Sequence, residues 1–436
     1  MPGPDVALRG RDASRFGRWL GALVLVGLAV RDGFVLIVAG DREVIGDALS
    51  YHLWAREIAD GNGMVTVSHW QAGAVVTDPE PTAELAPLFP HFLGVVTFLG
   101  VTSVAAQKLV MAVVGTLTVA VLGLAGREAA GERVGLLAAG IAAVYPFLWV
   151  ADGSLMSESL YGLWLSLGLW VAIRFGRRPS TRRAATLGAL VALAALTRGE
   201  ALALSVLVIV PLAWIGGRDL GQRLRLVGAA AAACVVVLAP WTIRNLATFE
   251  EPVLIANNSN AVFVGANCEP VYHGPQLGLW NFGCYGEPPP GDESERAQAY
   301  RRRGFAYARG NLDRVPVVVA ARLGRVWELF RPLEQTRCEV FEGRPRGVSL
   351  AGLAVYYPLA LAAIAGVARI RRDPRLAIPL VAPLVLVSVV AMAVYGLTRF
   401  RFTAEPALVV LAALGLDLLV SRLRNGRVSV SAAEPL

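Results

Sequence analysis

Long apolar runs constrain this chain more than any other feature of its sequence. A helix that crosses a bilayer needs about 20 mostly apolar residues, because the hydrocarbon core is about 30 Å thick. Runs close to that length span residues 17–38, 104–126, 134–151, 155–175, 183–198, 200–216, 225–243, 350–369, 376–395 and 404–421. The sequence therefore predicts an all-α polytopic membrane protein with about ten transmembrane helices.

The composition agrees with a membrane-embedded chain and excludes an ordinary soluble enzyme. Of the 436 residues, 55% are hydrophobic and 17% are charged, and the mean hydropathy is +0.55. The formal net charge of +8 falls in short clusters between apolar runs. That distribution is typical of cytoplasmic loops and not of a surface that binds nucleic acid. The predicted partners therefore include membrane lipids and exclude nucleic acid.

The basic clusters also predict how the chain is oriented. Cytoplasmic loops of membrane proteins carry an excess of Arg and Lys. Short basic loops occur at residues 127–133, 174–183, 218–225, 369–375 and 422–427. We therefore expect these loops and both termini in the cytoplasm, in a multi-pass protein of the cell membrane.

Two long hydrophilic segments, residues 39–103 and 244–349, fall on the extracytoplasmic side by this topology. The chain is then divided into three parts. Residues 1–243 form an N-terminal transmembrane module that carries the first segment, and 244–349 form an extracytoplasmic loop domain. Residues 350–436 supply the C-terminal transmembrane helices and a short cytoplasmic tail. We expect the functional residues in the two outer segments.

Both outer segments are expected to contain helices. The first has a predicted helix from Ala48 to Ala59 and, after Pro87–Pro90, an apolar stretch too short to cross a membrane. The second is rich in Arg and aromatic residues from Glu295 to Phe330, which favours a pair of amphipathic helices at the membrane interface. The arginines of this stretch are expected to face anionic lipid headgroups: Arg301, Arg302, Arg303, Arg322, Arg325 and Arg331.

Four cysteines occur, at Cys234, Cys268, Cys284 and Cys338. Their spacing is unlike that of zinc ligands. The last three lie in the second outer segment, where an oxidising environment permits disulfides. We expect one disulfide, between Cys268 and Cys284.

Asp47 is the most informative acidic residue. It follows the first apolar run, and Asp47, Tyr51 and Ala55 share one face of the predicted helix because they are spaced four residues apart. A carboxylate at the mouth of an apolar pocket can act as a general base near neutral pH. The competing interpretation is that Asp47 caps the helix and Tyr51 packs at an interface.

The order of several short motifs resembles the GT-C superfamily of integral membrane glycosyltransferases. The motifs are Asp47-x-x-x-Tyr51-x-x-x-Ala55, Glu84 before Pro87–Pro90, Ser157–Glu158, Leu196–Glu200, Pro240–Asn245, and Arg399-Phe400-Arg401 before Pro406. Within that superfamily they are most similar to glycosyltransferase family 39, the branch of the protein O-mannosyltransferases and the lipid A aminoarabinosyltransferases. Ala48 departs from the Glu that the protein mannosyltransferases usually carry there, which argues against a protein acceptor.

This resemblance implies an inverting hexosyl- or pentosyltransferase. Asp47 would be the catalytic base, the donor would be a polyprenyl-phosphate sugar, and the acceptor an extracytoplasmic glycan, lipid or protein. Arginine suits the leaving phosphate because it binds two oxygens at once. Arg198, Arg244, Arg399 and Arg401 fall at the outer ends of predicted spans and are the phosphate candidates; contact with lipid headgroups is the alternative.

Further candidates are Glu84, Glu158, Tyr51 and Asp152, which could position the sugar or hold a divalent cation. No tightly bound cofactor is expected, and the identity of any metal stays open. Arg31 and Asp32 lie within the first apolar run and are expected to neutralise each other; a role near the lipid phosphate is the alternative.

Two other functions fit the same residues. One is a ligase or polymerase that uses a polyprenyl-pyrophosphate glycan. The other is a transporter or flippase of lipid-linked sugars. Transporters place ionisable groups near the middle of the membrane, whereas the middle spans of this chain are nearly uncharged.

Overall fold

The computed structural model describes residues 4–67 and 78–431. These residues are almost entirely helical, and the only β-type pairing among them is an isolated bridge between Val65 and Pro81. The prediction of an all-α fold is confirmed.

Ten helices lie in the described residues up to position 248, which are 4–67 and 78–248. They are α1 (Pro4–Phe34), α2 (Asp47–Ala59), α3 (Leu88–Phe98), α4 (Val104–Ala130), α5 (Glu132–Val144), α6 (Pro146–Ser154), α7 (Glu158–Arg177), α8 (Thr181–Thr197), α9 (Val210–Gly216) and α10 (Leu220–Thr248). Short π- and 3₁₀-turns extend α1 to Ala39 and connect α8 to α9.

Eight helices follow. They are α11 (Asn258–Ala266), α12 (Glu269–Tyr272), α13 (Glu293–Gly310), α14 (Val315–Val326), α15 (Pro332–Cys338), α16 (Arg346–Ile370), α17 (Pro374–Ala393) and α18 (Glu405–Ser431). A 3₁₀-turn, Thr398–Thr403, separates the last two.

Eight helices of the described chain are long and apolar enough to cross a membrane, or nine if α5 and α6 are one bent span. The bend of 46° falls between Val144 and Pro146, because proline cannot donate the backbone hydrogen bond that would continue the helix. The tenth predicted span corresponds to α8, which has 17 residues. Each predicted apolar run is therefore helical, and the chain is a multi-pass membrane protein.

Small residues let the spanning helices approach closely. On α16, a Cβ at Gly366 would lie 2.0 Å from Leu411 O, and on α18 a Cβ at Gly415 would lie 1.9 Å from Ala362 O. Close backbone contact of this kind is the usual way in which transmembrane helices associate, since lipid offers no hydrophobic driving force between them. The pair α16 and α18 thus forms a rigid support below the turn Thr398–Thr403.

The two outer segments hold each other in place. Glu293, the first residue of α13, accepts hydrogen bonds from Ala83 N at 3.0 Å and from Asn257 Nδ2 at 2.8 Å. Arg244, near the end of α10, donates to Thr82 O at 3.1 Å and to Met64 O at 3.3 Å. The first loop is therefore fixed against the second segment by buried and half-buried polar contacts.

The second outer segment contains the predicted disulfide, between Cys268 and Cys284. Its two main helices, α13 and α14, fall in the stretch that was predicted to be helical. The expectation that Arg322 and Arg325 face headgroups is wrong, because both side chains are buried. Arg322 donates to Met392 O at 3.1 Å and Arg325 to Leu277 O at 2.6 Å, so they bind the segment to itself and to α17.

Candidate functional site: a cluster of carboxylates and guanidinium groups

Asp47 lies at the start of α2, in the position that its sequence context predicts. Gly46 precedes it with φ of 56° and is the N-cap residue; this left-handed conformation favours glycine. Asp47 is therefore the first helical residue and not the cap. One turn later, Tyr51 is buried and packs edge-on against Phe89 with 4.8 Å between ring centroids. Burial, and then the nearby Asp47 carboxylate, raise the pKa of Tyr51, which keeps its phenol protonated.

Arg399 is the centre of the site, because three carboxylates contact its guanidinium group. Arg399 Nη1 lies 2.8 Å from Asp47 Oδ2 and 3.0 Å from Glu342 Oε2, and Arg399 Nε lies 2.6 Å from Glu158 Oε1. These acids belong to α2, α7 and the turn after α15. One guanidinium thus joins the first loop, a membrane-spanning helix and the second outer segment.

Glu158 is the most deeply buried of these acids, with 0% of its side chain exposed. It is the first residue of α7, where the positive end of the helix dipole stabilises a carboxylate. Its Oε1 accepts from Arg399 and also from Arg198 Nη1 at 3.1 Å, with Arg344 Nη2 at 3.9 Å. Several cations around one acid repay the cost of burying its charge.

Arg198 lies beside Arg399. Its Nε contacts Glu200 Oε1 at 2.7 Å, and its guanidinium carbon lies 5.7 Å from the ring centroids of Tyr161 and Phe400. Contact with carboxylates and aromatic faces together fixes the plane of an arginine head. The predicted candidates Asp47, Glu158, Arg198 and Arg399 therefore form one site with Glu200, Glu342 and Arg344, which we call the Arg399 cluster.

Glu342 and Arg344 were not among the predicted site residues. They flank Gly343, whose φ of 73° turns the chain so that both side chains reach the cluster. Burial raises the pKa of Glu342, with Asp47 and Glu158 adding to that effect and Arg399 and Arg344 opposing it. The only sequence signal was an acid and a base on either side of a glycine just before a predicted span.

Arg401 lies in a different cluster, although it is two residues from Arg399. It is fully buried, contacts Glu405 Oε1 at 2.7 Å and Glu328 Oε1 at 3.8 Å, and packs over the Tyr356 ring at 3.8 Å. Burial raises the pKa of Glu328 to about 7, and Arg401 opposes that shift. The structure therefore does not bring Arg401 to Asp47.

Asp152 is likewise separate from the Arg399 cluster. Arg31 Nε lies 2.9 Å from Asp152 Oδ2, and each side chain is 1% exposed. Arg31 also donates to Gly27 O, Ala143 O and Ala142 O at 3.1–3.3 Å. The expected pairing of Arg31 with Asp32 is wrong, because α1 turns Arg31 toward α6 inside the helical bundle.

Arg244 and Glu84 lie in the contact between the outer segments. Arg244 stacks on Trp241 at 4.8 Å while it holds the first loop. Glu84 donates its backbone N–H to Thr82 Oγ1 at 3.0 Å. Burial raises the pKa of Tyr285, and the carboxylates of Glu84 and Asp47 both add to this.

The residues around Asp47 do not fit a divalent cation. Such an ion needs several oxygens about 2.0–2.6 Å from one point, but the three carboxylates here converge on nitrogen atoms of Arg399. Among residues 4–67 and 78–431, no group of three or more His, Cys, Asp or Glu side chains is placed to hold a metal. The cation of this site is a guanidinium.

No family model matches the chain, and no curated protein matches it. Solved structures of the oligosaccharyltransferase of Archaeoglobus fulgidus do. The enzyme, AglB, in complex with an inhibitory peptide and a dolichol-phosphate, matches with 12% identity and a TM-score of 0.53, over 98% of this chain and 52% of that one. The form tethered to an acceptor peptide with the NVT sequon matches with 12% identity and a TM-score of 0.54, over 96% of this chain and 52% of that one.

A third structure of the same enzyme, in complex with Zn and sulfate, matches with 13% identity and a TM-score of 0.52, over 93% of this chain and 49% of that one. This chain thus spans about half the length of these enzymes. At such low identity the likeness concerns the fold. The chain is a multi-pass membrane protein whose fold is like that of the archaeal oligosaccharyltransferase.

Proposed function

We propose that this protein is an inverting glycosyltransferase that moves a sugar from a polyprenyl-phosphate donor to an extracytoplasmic acceptor. The observation that carries the proposal is the placement of Asp47. Its side chain is 22% exposed and its carboxylate is oriented by Arg399 at 2.8 Å, in the cluster that also contains Arg198 and Arg344. The GT-C fold is consistent with lipid-linked sugar transfer. Assignment to the family 39 branch rests on the sequence motifs alone.

Asp47 acts as the general base in this proposal. Its carboxylate takes the proton of the acceptor hydroxyl while that oxygen forms a bond to the anomeric carbon of the sugar. The bond from the anomeric carbon to the phosphate oxygen breaks at the same time, and the electron pair leaves with the polyprenyl phosphate. Attack from the face opposite the leaving group inverts the anomeric centre. A well-placed base of this kind accelerates transfer by about 10²–10⁴-fold.

Arg198 and Arg399 are the arginines that we propose for the leaving phosphate. Arg399 uses Nε and Nη1 for its carboxylate contacts, and we assign its Nη2 to a phosphate oxygen. Arg401 and Arg244 were the other two phosphate candidates in the sequence. We now propose that Arg401 holds the last span, because it is fully buried and contacts Glu405 outside the Arg399 cluster. Arg244 holds the first loop, because it donates to Thr82 O and Met64 O.

The test is transfer by full-length protein in detergent, with radiolabelled polyprenyl-phosphate sugars and a membrane extract as acceptor. Asp47→Asn should lower transfer by about 100-fold or more, because Asn keeps the shape but cannot take the proton. Asp60→Asn, at the exposed end of the same helix, is the matched control and should transfer normally. Undiminished transfer by Asp47→Asn would overturn the assignment of the base.

A second candidate is transfer of a whole glycan from a polyprenyl-pyrophosphate donor. It is favoured by the likeness to an enzyme that transfers oligosaccharide. The same assay separates the two, since the leading proposal requires turnover of monophosphate donors. If only pyrophosphate donors react, the second candidate takes its place; if lipid-linked sugar instead exchanges across vesicles without transfer, the protein is a transporter.

The orientation of the site is also a proposal. We place both termini and the basic loops in the cytoplasm and the Arg399 cluster outside, with the three-part division at 243 and 349. Reporter fusions in loop 127–133 and in segment 244–349 test this, because enzymes that act on only one side of the membrane report the location of each fusion point. A reporter in segment 244–349 that is found in the cytoplasm would contradict the proposed orientation.

A further inference from the structure

Three acids from distant parts of the sequence converge on Arg399. Asp47, Glu158 and Glu342 each place a carboxylate oxygen 2.6–3.0 Å from one of its nitrogens. Glu158 is wholly buried, and Asp47 and Glu342 are each about four-fifths buried. Carboxylates gathered in this way repel one another unless a cation lies between them.

Proteins usually place a divalent cation between converging carboxylates, with oxygen ligands from separate elements. Here the distances are those of charge-assisted hydrogen bonds from nitrogen to oxygen. A guanidinium is a permanent cation whose donors point outward in a plane, so it can serve several carboxylates at once. It differs from a metal ion in being covalently fixed and in needing no supply from solution.

We infer that the Arg399 guanidinium is a built-in replacement for a divalent cation between Asp47, Glu158 and Glu342, so that the protein binds no metal at this site. Glu158 fixes Arg399 from the buried side, and Arg399 in turn fixes the Asp47 carboxylate. The part of the inference that concerns sugar transfer rests on the proposed function. The part that concerns metal binding rests only on the contacts of Arg399 with the three carboxylates.

The inference has a consequence that a purely structural salt bridge lacks. Removing the guanidinium while keeping the three acids should create a divalent-cation site. Arg399→Met supplies a side chain of similar length without charge, and the carboxylates are then free to approach one ion. Mn²⁺ is a suitable probe because it prefers carboxylate ligands and is paramagnetic.

The experiment measures Mn²⁺ binding to full-length protein in detergent by electron paramagnetic resonance. Arg399→Met should bind about one Mn²⁺ per chain and be stabilised by it against heat, whereas the unaltered protein should bind none at this site. Arg399→Met/Glu158→Gln should lose the ion again. Arg369→Met is the matched control, since Arg369 pairs with a single carboxylate, Asp417, at 2.8 Å, and its loss should create no site.

Two results would overturn the inference. One is stoichiometric Mn²⁺ binding by the unaltered protein that Glu342→Gln abolishes. The other is an Arg399→Met protein that folds, as judged by gel filtration, and binds no more Mn²⁺ than Arg369→Met. If Arg399→Met does not fold, Mn²⁺ binding to the unaltered protein decides whether the inference stands. None of these readouts needs a donor, so a failure of the proposed transfer is distinguishable; if transfer is observed, a chelator should leave its rate unchanged.

Discussion

Glu158 and Arg399 lie 241 residues apart in the sequence and are in direct contact, with Arg399 Nε donating to Glu158 Oε1 at 2.6 Å. The contact joins the start of α7 to the turn before the last span. Glu158 is also bound by Arg198, so two guanidinium groups share one buried carboxylate. The position of the proposed base Asp47 therefore depends on a residue that does not touch it.

Glu158→Gln should lower the free energy of unfolding by at most about 3–5 kcal/mol, the cost of breaking a buried ion pair whose remaining charge has no other partner. The loss should still be larger than at an exposed pair, because Arg198 and Arg399 lose the wholly buried carboxylate that both contact. Denaturant titration in detergent measures the loss. Glu132→Gln is the matched control: Glu132 pairs with Arg127 at 2.9 Å with both side chains about 40% exposed, and its loss should cost about 1 kcal/mol or less. Equal small effects at both sites would contradict the structural role of Glu158.

Asp152 should prove structural and not catalytic. Asp152→Asn leaves Arg31 buried without its counter-ion and should destabilise the protein by about 3–5 kcal/mol. The double variant Arg31→Met/Asp152→Leu removes both charges and should recover most of the lost free energy of unfolding. It should also recover any transfer activity that Asp152→Asn lost because it was less well folded. A stable Asp152→Asn protein that has lost all transfer would instead place Asp152 in the chemistry.

The disulfide should contribute measurably to stability. Cys268 and Cys284 are separated by 16 positions, and closing a loop of about that length restricts the unfolded chain by about 3 kcal/mol. The double variant Cys268→Ser/Cys284→Ser should lose this stabilisation. A reductant should lower the melting temperature of the unaltered protein but not that of the double variant. Cys338→Ser, which alters a free thiol, is the control and should melt normally.

Glu328 should make stability dependent on pH. Burial raises its pKa from 4.5 to about 7, so the folded state holds a proton that the unfolded state releases. The free energy of unfolding should then decrease as pH rises from about 4.5 through about 7, by at most about 3 kcal/mol, since one pKa unit corresponds to about 1.36 kcal/mol. Glu328→Gln should flatten the profile. An unchanged profile would show that Glu328 is ionised throughout.

The helices could be predicted because apolar runs of membrane length are a property of contiguous sequence. The partners of charged residues could not, since nothing in the sequence relates Arg31 to Asp152 rather than to its neighbour Asp32. The same holds for Glu342, which contacts Arg399 only because distant segments fold together. Residues that are close in the sequence can also lie in different clusters of the structure.

Arg399 and Arg401 are two such neighbours. Both follow the same predicted span end, and the sequence offered both as phosphate candidates. In the 3₁₀-turn Thr398–Thr403, three residues complete one turn, and side chains two positions apart therefore point in different directions. Arg399 faces Asp47, whereas Arg401 faces Glu405 inside the bundle.

The contact between the outer segments sets an order of assembly for the nascent chain. Ala83 N donates to Glu293 Oε1, 210 positions further along. At about 5–20 residues per second, the ribosome needs roughly 10–40 seconds to cover that distance. During this interval the first loop has been released but lacks its closing partner, so it is exposed to proteases and holding chaperones. Slow or stalled synthesis between the two segments should therefore be more damaging than the same delay after Glu293 has emerged.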